Sequence, residues 1–219
     1  MTTARGSTRD AIVTAALELF REHGFEGTTM RAVAERAGVS VGNAYYYFSS
    51  KDELVQGFYD QLVAEHRAAA LPELAGRSDL AERLRLTLNA WITVAEPYRA
   101  FAGRFFAVAA QPGNPLSPFS PQSGPARDAA VDLYRDVLEG ARVDVDAELG
   151  RELPELLWLQ HLGVVLFWVH DTSADAARTR LLVDRTVPIV ARLVRLSRLP
   201  VLRPLGRQVV DVVRLLRGT

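Results

Sequence analysis

The chain has no cysteine, so neither a disulfide nor a thiolate metal site is open to it. It also lacks long apolar runs. Stretches such as Val164 to Val169, behind Leu162 and Gly163, fall far short of the ~20 residues that cross a bilayer. The N-terminus starts polar and becomes amphipathic, without a signal-peptide pattern, so a cytoplasmic location is expected. An excess of one charge is missing too. The 26 basic and 26 acidic side chains leave a formal net charge of +0, and the global balance points to no polyanionic partner. Lysine is almost absent: Lys51 is the only one. No run alternates with period two, and no internal repeat appears. No nucleophile–base pair, metal-spaced cluster or glycine-rich phosphate loop supports catalysis, so neither an enzyme nor a cofactor is expected.

What remains is helical spacing almost throughout. Ile12, Ala16, Leu19 and Phe20 form one apolar stripe. Ser7 with Asp10 three residues on reads as its capping start, and Gly24 as its end. A short helix is predicted from about Thr29 to Ala37, burying Met30, Val33, Ala34 and Ala37, and Gly38 breaks it. Ser40 then caps a two-turn helix from Val41 to Phe48. Ser50, with Glu53 at the third position, caps a fourth helix whose stripe is Leu54, Phe58 and Leu62. Longer helices follow at 79–96, from Pro97 to about Ala110, at 126–143, 154–171 and 174–199, and finally to Leu216. Pro188 should kink or divide the helix at 174–199. Residues 111–125, QPGNPLSPFSPQSGP, read as a loop. A loop this long is uncommon inside a compact domain, which suggests a lid or a disordered segment. The fold class is all-α: an N-terminal three-helix head at 1–50 and a larger helical body at 51–219.

Two short helices joined by a glycine-containing turn at 29–48 are a helix-turn-helix arrangement. Ala44 and Phe48 lie four apart and can pack the third helix inward. At about 100° per residue, the opposite arc then holds Gly42, Asn43, Tyr45 and Tyr46. An arc of Gly, Asn and Tyr makes little sense as a solvated face. It suits a surface that meets hydrogen-bonding groups, since Tyr hydroxyls and Asn amides are ordinary phosphate donors and Gly42 lets backbone approach a base edge.

The stretch FEGTTMRAVAERAGVSVGNAYYYFSSKDEL, residues 25–54, resembles the DNA-binding signature of the TetR family of transcriptional repressors nearly end to end. The resemblance implies that Thr29 and Arg31 contact DNA backbone. It implies base-facing positions for Val41, Gly42 and Tyr45, and phosphate-facing positions for Asn43, Tyr46, Tyr47 and Lys51. Many relatives carry a polar residue where Val41 stands, but an apolar side chain can still read a thymine methyl. Residues 1–60 hold six basic side chains (Arg5, Arg9, Arg21, Arg31, Arg36, Lys51) against eight acidic ones. Affinity must therefore rest on a few placed donors and on dimerisation, with a moderate salt slope.

The segment LLWLQHLGVVLFWV within 154–171 is apolar nearly all round, so it must be buried on all sides. One side can be covered by the chain's own helices and the other by a second copy. The resemblance implies a dimer seam from the last two major helices. Leu159, Gly163, Leu166, Phe167 and His170 on the first, with Val187, Val190 and Val194 on the second, are the expected seam residues. Val183 falls on that same valine face. Trp158, His161, Val165 and Trp168 share a face, whereas His161 and His170, nine apart, lie on opposite faces and cannot chelate one metal. The resemblance also places a small-molecule pocket among the body helices, where Trp91, Tyr98, Phe101, Phe105, Tyr134, Trp158, His161 and Trp168 are candidates. The bland reading of such an aromatic stripe is ordinary core. Seven arginines in the last thirty residues (Arg192, Arg195, Arg198, Arg203, Arg207, Arg214, Arg217) read as a solvated helix face.

The expected function is ligand-gated repression: a homodimer on a (pseudo)palindromic operator of double-stranded DNA, released by a small, largely apolar effector. A constitutive DNA-binding dimer without effector, or a helical small-molecule carrier, are the alternatives that the residues leave open.

Overall fold

The computed structural model describes residues 3–99, 102, 103, 106, 109, 113–199, 208 and 211; among these there is helix, turn and coil but no strand. Two compact units separate, Met1–Glu65 with Pro97–Asp128, and His66–Glu96 with Ala129–Thr219. The division falls inside a helix rather than at residue 50. Most of the helix expected at 97–110, with Phe101 and Phe105, lies outside the described residues. So does the final helix to Leu216, with Arg203, Arg207, Arg214 and Arg217.

In the first unit, α1 (Thr3–Gly27) leaves helical geometry at Gly24, whose φ is 76°. It begins ahead of Ser7, which is therefore inside the helix and not its cap. α2 (Met30–Arg36) and α3 (Val41–Tyr47) follow. α4 (Lys51–Leu74) opens where predicted. Ser50 Oγ accepts the Glu53 amide at 3.2 Å, while the Glu53 carboxylate reaches back to the amide of Ser49 at 2.6 Å. One core joins these elements: Ile12, Ala16 and Phe20 of α1, Val33 and Ala34 of α2, Ala44 and Phe48 beside α3, and Leu54, Val55 and Phe58 of α4.

The expected lid at 111–125 is, over its described part, a set of hydrogen-bonded turns laid on α4. Leu116 is buried and belongs to the core. Tyr59 donates to its carbonyl at 2.9 Å, and Gln56 donates to that of Pro115 at 2.9 Å. Phe119 stays exposed. Helix resumes at Gly124, two residues earlier than predicted, as α6 (Gly124–Glu139).

The second unit holds the rest of α4, α5 (Leu80–Ala95), most of α6, α7 (Ala147–His170) and α8 (Ala177–Leu196). α5 is capped by Asp79, whose side chain accepts the Glu82 amide, and a single 3-10 turn (Glu96–Tyr98) follows it. α7 starts seven residues ahead of Pro154, at an Asp146 cap. The early start is favoured by good helix formers, with Leu149 and Leu153 buried. Pro154 sits inside the helix. Pro188 likewise lies within a continuous α8. It and Asp184 are exposed, so water can satisfy the carbonyl that proline leaves without a donor.

The valine stripe expected to meet a second copy faces α5 instead. Val183, Val187, Ala191 and Val194 are buried within the chain, because α5 runs along α8 and covers them. Val190 is half-buried. Polar pairs flank this seam: Arg180 donates to Asn89 Oδ1 at 3.0 Å, and Arg85 pairs with Asp184 at 3.0 Å.

Two buried polar groups hold the unit's corners. Arg83, in the first turn of α5, is 6% exposed. Its guanidinium donates to four carbonyls: Leu74 at the end of α4 and Arg77 after it, and Asp136 and Val137 at the end of α6, at 2.7–2.8 Å. A Cβ on Gly140 would collide with this guanidinium, which its four hydrogen bonds hold in place. At the α7–α8 corner, the buried Asp171 carboxylate accepts the amide and hydroxyl of Thr179 at 2.8 and 2.7 Å, and those of Ser173 at 2.9 and 2.6 Å. Burial works to raise its pKa, but the hydrogen bonds outweigh it and hold the carboxyl well below the usual range. Asp175 and Ala176, in the short turn between them, both adopt positive φ (52° and 53°).

Arg83→Leu should cost about 3 kcal/mol or more in urea unfolding, because four buried hydrogen bonds from a charged donor are lost at once. Gly140→Ala should move in the same direction, and a loss under about 1 kcal/mol in both would show the clamp to be dispensable. Asp171→Asn should cost about 2 kcal/mol at pH 7. A depressed carboxyl contributes its stability above the unfolded pKa and loses it as pH falls through the folded one. The gap between Asp171→Asn and wild type should therefore narrow steadily below about pH 4; a gap that stays constant to pH 2.5 contradicts the assignment.

Candidate functional site

The helix-turn-helix is built from local rules. Thr29 Oγ1 accepts the Ala32 amide at 3.2 Å and starts α2. At its end Gly38 has φ +68°. There the Val39 amide donates to Ala34 at 2.9 Å and that of Gly38 to Glu35 at 3.1 Å, a Schellman closure. Val39 joins the core beside it. Ser40 then caps α3, accepting the Asn43 amide at 3.1 Å. Arg36 ties α2 to α1 through a two-pronged contact with Glu22 at 2.9 and 3.1 Å and a bond to Glu18 at 3.2 Å.

α3 is fixed from below. Ala44 and Phe48 are buried. The Phe48 ring lies against Gly57 of α4, where a Cβ would meet it at 2.8 Å and Val13 at 3.2 Å. The Arg9 guanidinium covers the same ring, 5.1 Å from its centroid. Gly57 is a residue that sequence reasoning missed. A glycine inside a helical pattern was the available signal, since such a residue often marks a close approach.

The outer arc of α3 is what the core does not use. Tyr45 is 51% exposed and Tyr46 68%, with Val41 at 40%, and Gly42 and Asn43 are exposed beside them. Every other large side chain of this short helix is at least half-buried. Tyr47 is half-buried and meets the Tyr46 ring edge-on at 5.3 Å. Thr29 and Arg31 are exposed on α2. Lys51 departs from a purely outward role. Its ammonium donates to the Phe25 carbonyl at 2.7 Å and sits 4.6 Å above the Phe25 ring, which leaves it two further N–H donors.

In the second unit four of the expected pocket residues come together. His161 meets Trp91 edge-on at 4.9 Å and Tyr134 at 6.0 Å, and Trp91 meets Trp168 at 5.0 Å. His66 joins them, 5.5 Å from His161, and sequence reasoning did not single it out. Its Nε2 donates to the Thr87 carbonyl at 2.9 Å. Burial pushes the His66 pKa down to about 4, against the pull of that hydrogen bond. Trp158 is buried on the same helix as His161. Tyr98 belongs to the first unit, where its ring packs edge-on against Phe58 at 4.9 Å.

The outward side of α7 and α8 carries apolar surface. Leu166 and Phe167 are exposed on α7, and Leu181, Ile189, Leu193 and Leu196 on α8. Gly163 and His170 lie on the exposed side of α7, while Leu159 is half-buried. So of the expected seam residues Gly163, Leu166, Phe167 and His170 present surface, and Val187 and Val194 do not.

Two family profiles match the chain. One, described as "Bacterial regulatory proteins, tetR family", covers residues 12–57. The other, "Tetracyclin repressor-like, C-terminal domain", covers residues 83–216. The chain belongs to the TetR family. Residues 12–57 carry the profile of that family of bacterial regulatory proteins, and α2 and α3 are its helix-turn-helix. Over 83 residues the chain is 34% identical to the HTH-type transcriptional repressor KstR2 of Rhodococcus jostii; that match takes in 36% of this chain and 41% of the relative, so the chain spans less than half of the relative's length. A TetR regulator from Nitrosomonas europaea shares the fold, with a TM-score of 0.65 at 22% identity over 84% of this chain and 97% of that one. Thermus thermophilus FadR, a TetR-family repressor solved with lauroyl-CoA, has a TM-score of 0.55 at 26% identity, covering 82% of this chain and 93% of its own. No helix among the described residues of this TetR-family chain is long and apolar enough to cross a membrane.

Gly57→Ala should displace the Phe48 ring and cost about 1–3 kcal/mol. Because Phe48 closes α3, the variant should also lose DNA affinity at temperatures where it remains folded. Ser40→Ala removes a cap and should cost about 1 kcal/mol. Chemical unfolding and DNA titration of the two variants check both statements, and an unaltered Gly57→Ala protein would contradict the first.

Proposed function

We propose that the protein is a ligand-responsive repressor. A homodimer binds a (pseudo)palindromic operator and is released when a small, largely apolar effector occupies the body. One observation carries the DNA-binding half of this reading: the exposed Gly42, Asn43, Tyr45 and Tyr46 arc on a helix whose start is capped and whose end is packed. Large aromatic side chains are left in water when a partner covers them. Residues 1–50 are assigned to DNA and 51–219 to effector and dimer. Val41, Gly42 and Tyr45 face bases, while Asn43, Tyr46, Tyr47 and the remaining donors of Lys51 face phosphates, with Thr29 and Arg31 contributing from α2. The two recognition helices enter major grooves about one or more turns of ~10 bp apart.

The dimer seam is assigned to the apolar outer side of α7 and α8, around Leu166, Phe167, Ile189 and Leu193. The lauroyl-CoA complex of the Thermus relative supports an effector with a large apolar part. A second reading, a constitutive dimer whose body only packs, is favoured by the close edge contacts of Trp91 with Trp168 and His161. Selection of bound DNA from a random pool tests the whole proposal and yields the operator. Recovery of no preferred sequence would move weight to a small-molecule carrier.

Light scattering after size exclusion should give twice the chain mass, and Leu166→Glu or Leu193→Glu should halve it. A monomer in the wild type at micromolar concentration sinks the dimer.

Reading and gripping are separable by salt. Lys51→Ala should weaken all DNA about equally and lower the salt slope by about one unit. It should also lose some stability, because the Phe25 carbonyl loses its donor. Tyr45→Ala should cost about 1–3 kcal/mol, mainly on the selected operator. Tyr45→Phe tells whether the hydroxyl matters. A Tyr45→Ala protein that binds the operator like wild type would show that the ring does not read bases.

A further inference from the structure

Among the buried side-chain atoms of the second unit that make no hydrogen bond to any described residue are Tyr134 Oη and both ring nitrogens, Nδ1 and Nε2, of His161. Both residues are more than nine-tenths buried. Burying such a group without a partner is costly. Other polar groups around these two residues find partners. His66, 5.5 Å away, has its Nε2 satisfied by Thr87. Trp168 Nε1 donates to Glu96 at 3.1 Å. Arg83 is satisfied by four carbonyls. Tyr134 and His161, from α6 and α7, are left open side by side, with rings 6.0 Å apart.

We propose that Tyr134 Oη and the His161 ring nitrogens form the polar end of the effector site and take an uncharged hydrogen-bonding group, a hydroxyl, ketone or amide, carried on a flat or alicyclic apolar skeleton. This rests on the effector-responsive reading above and names the ligand chemistry of that body. A neutral imidazole offers one N–H donor and one bare acceptor, and a phenol offers both functions. The set therefore suits a group that can accept, donate, or do both. Trp91, packed edge-on to His161, and Trp168 beside it supply apolar walls. Among the described residues of the second unit, three arginines that could meet a charged head are already engaged. Arg67 is committed to Asp136 at 2.7 Å, Arg85 to Asp184 and Arg180 to Asn89. Burial, with His66 nearby, keeps His161 neutral at ordinary pH.

The test uses the full-length protein at pH 7 and three probes on one skeleton: naphthalene, 2-naphthol and 2-naphthoate. Binding is read by equilibrium dialysis. The wild type should hold 2-naphthol at least tenfold more tightly than naphthalene or 2-naphthoate. Tyr134→Phe and His161→Leu should each reduce that preference to threefold or less while leaving naphthalene within about twofold of its wild-type affinity. Without ligand, Tyr134→Phe should melt at the wild-type temperature or above it. Equal binding of naphthol and naphthalene, tightest binding of naphthoate, or no binding of any probe would overturn the inference. A fall in the melting temperature of Tyr134→Phe by more than about 5 °C would do the same, since it would show that the hydroxyl already serves the fold. Selection of DNA by the same wild-type sample separates the two ideas. Failure there strikes the repressor reading, whereas success there with a failed probe series strikes only this one.

Discussion

The second unit depends on one charge placed where three helices need it. Helix ends leave carbonyls without donors and gather partial negative charge. The ends of α4 and α6 lie around Arg83, and its guanidinium donates to four carbonyls there, two of which, Leu74 and Asp136, also accept a backbone amide. Burial lowers the arginine's pKa, with the Asp136 carboxylate pulling the other way, and so rich a set of acceptors holds the guanidinium in place. Its consequences run one turn at a time along α5. Thr87 Oγ1 donates back to the Arg83 carbonyl at 2.9 Å, and the Thr87 carbonyl takes the His66 ring from α4. One turn further, Trp91 meets His161 of α7. On α6, Tyr134 lies about one turn before the carbonyls that Arg83 holds. The aromatic and imidazole cluster is thus positioned by a clamp that does not touch it.

The first unit solves a different problem. A helix of seven residues has little stability of its own, yet α3 must present a fixed face. Its start is set by Ser40 and by the Schellman turn at Gly38, and its end by Phe48 seated on Gly57. With both ends fixed, the outer side chains are free to be chosen for contact with DNA. Charge is handled sparingly. Arg36 and Arg9 are spent on Glu18, Glu22 and Asp60 within the unit, which leaves the aromatic hydroxyls, Asn43, Arg31 and part of Lys51. In the proposed reading, a unit of that kind binds by a few well-placed donors and by doubling them through a second copy, not by a diffuse basic field.

The all-helical class, the limits of α2 and α3 and the start of α4 were legible because they depend on nearest neighbours: Thr29, Gly38, Ser40, Ser50 and Glu53 act within four residues of where they stand. What was not legible depends on distant partners. Val183, Val187 and Val194 announce an apolar face, but periodicity says only that a face is covered, not whether α5 or a second chain covers it. Pro154 looks like a helix start because proline suits that position, and only the Asp146 cap and buried Leu149 and Leu153 show the helix already under way. Arg83 could not be told from the many surface arginines, since its value lies in carbonyls nine residues before it and more than fifty after. Gly57 and Gly140 share that limit, each empty for the sake of a side chain brought in by the fold.

An unsatisfied buried polar group lowers stability without improving the empty protein. A regulator can tolerate that if a ligand returns the lost interaction, because the returned energy then belongs to the liganded state alone. Linkage sets the terms. An effector that weakens operator binding by some factor must itself bind the operator-bound protein more weakly by the same factor, and a ligand with equal affinity for both states shifts nothing. Apolar burial is a poor source of such a difference, since it is non-directional and survives small changes of shape. Hydrogen bonds to Tyr134 and His161 are a better one. They weaken steeply with distance and angle, so a modest displacement of α6 against α7 separates a conformer that satisfies the ligand from one that does not. The polar end of the site is then where the allosteric difference is generated, and the apolar remainder sets how tightly both conformers bind.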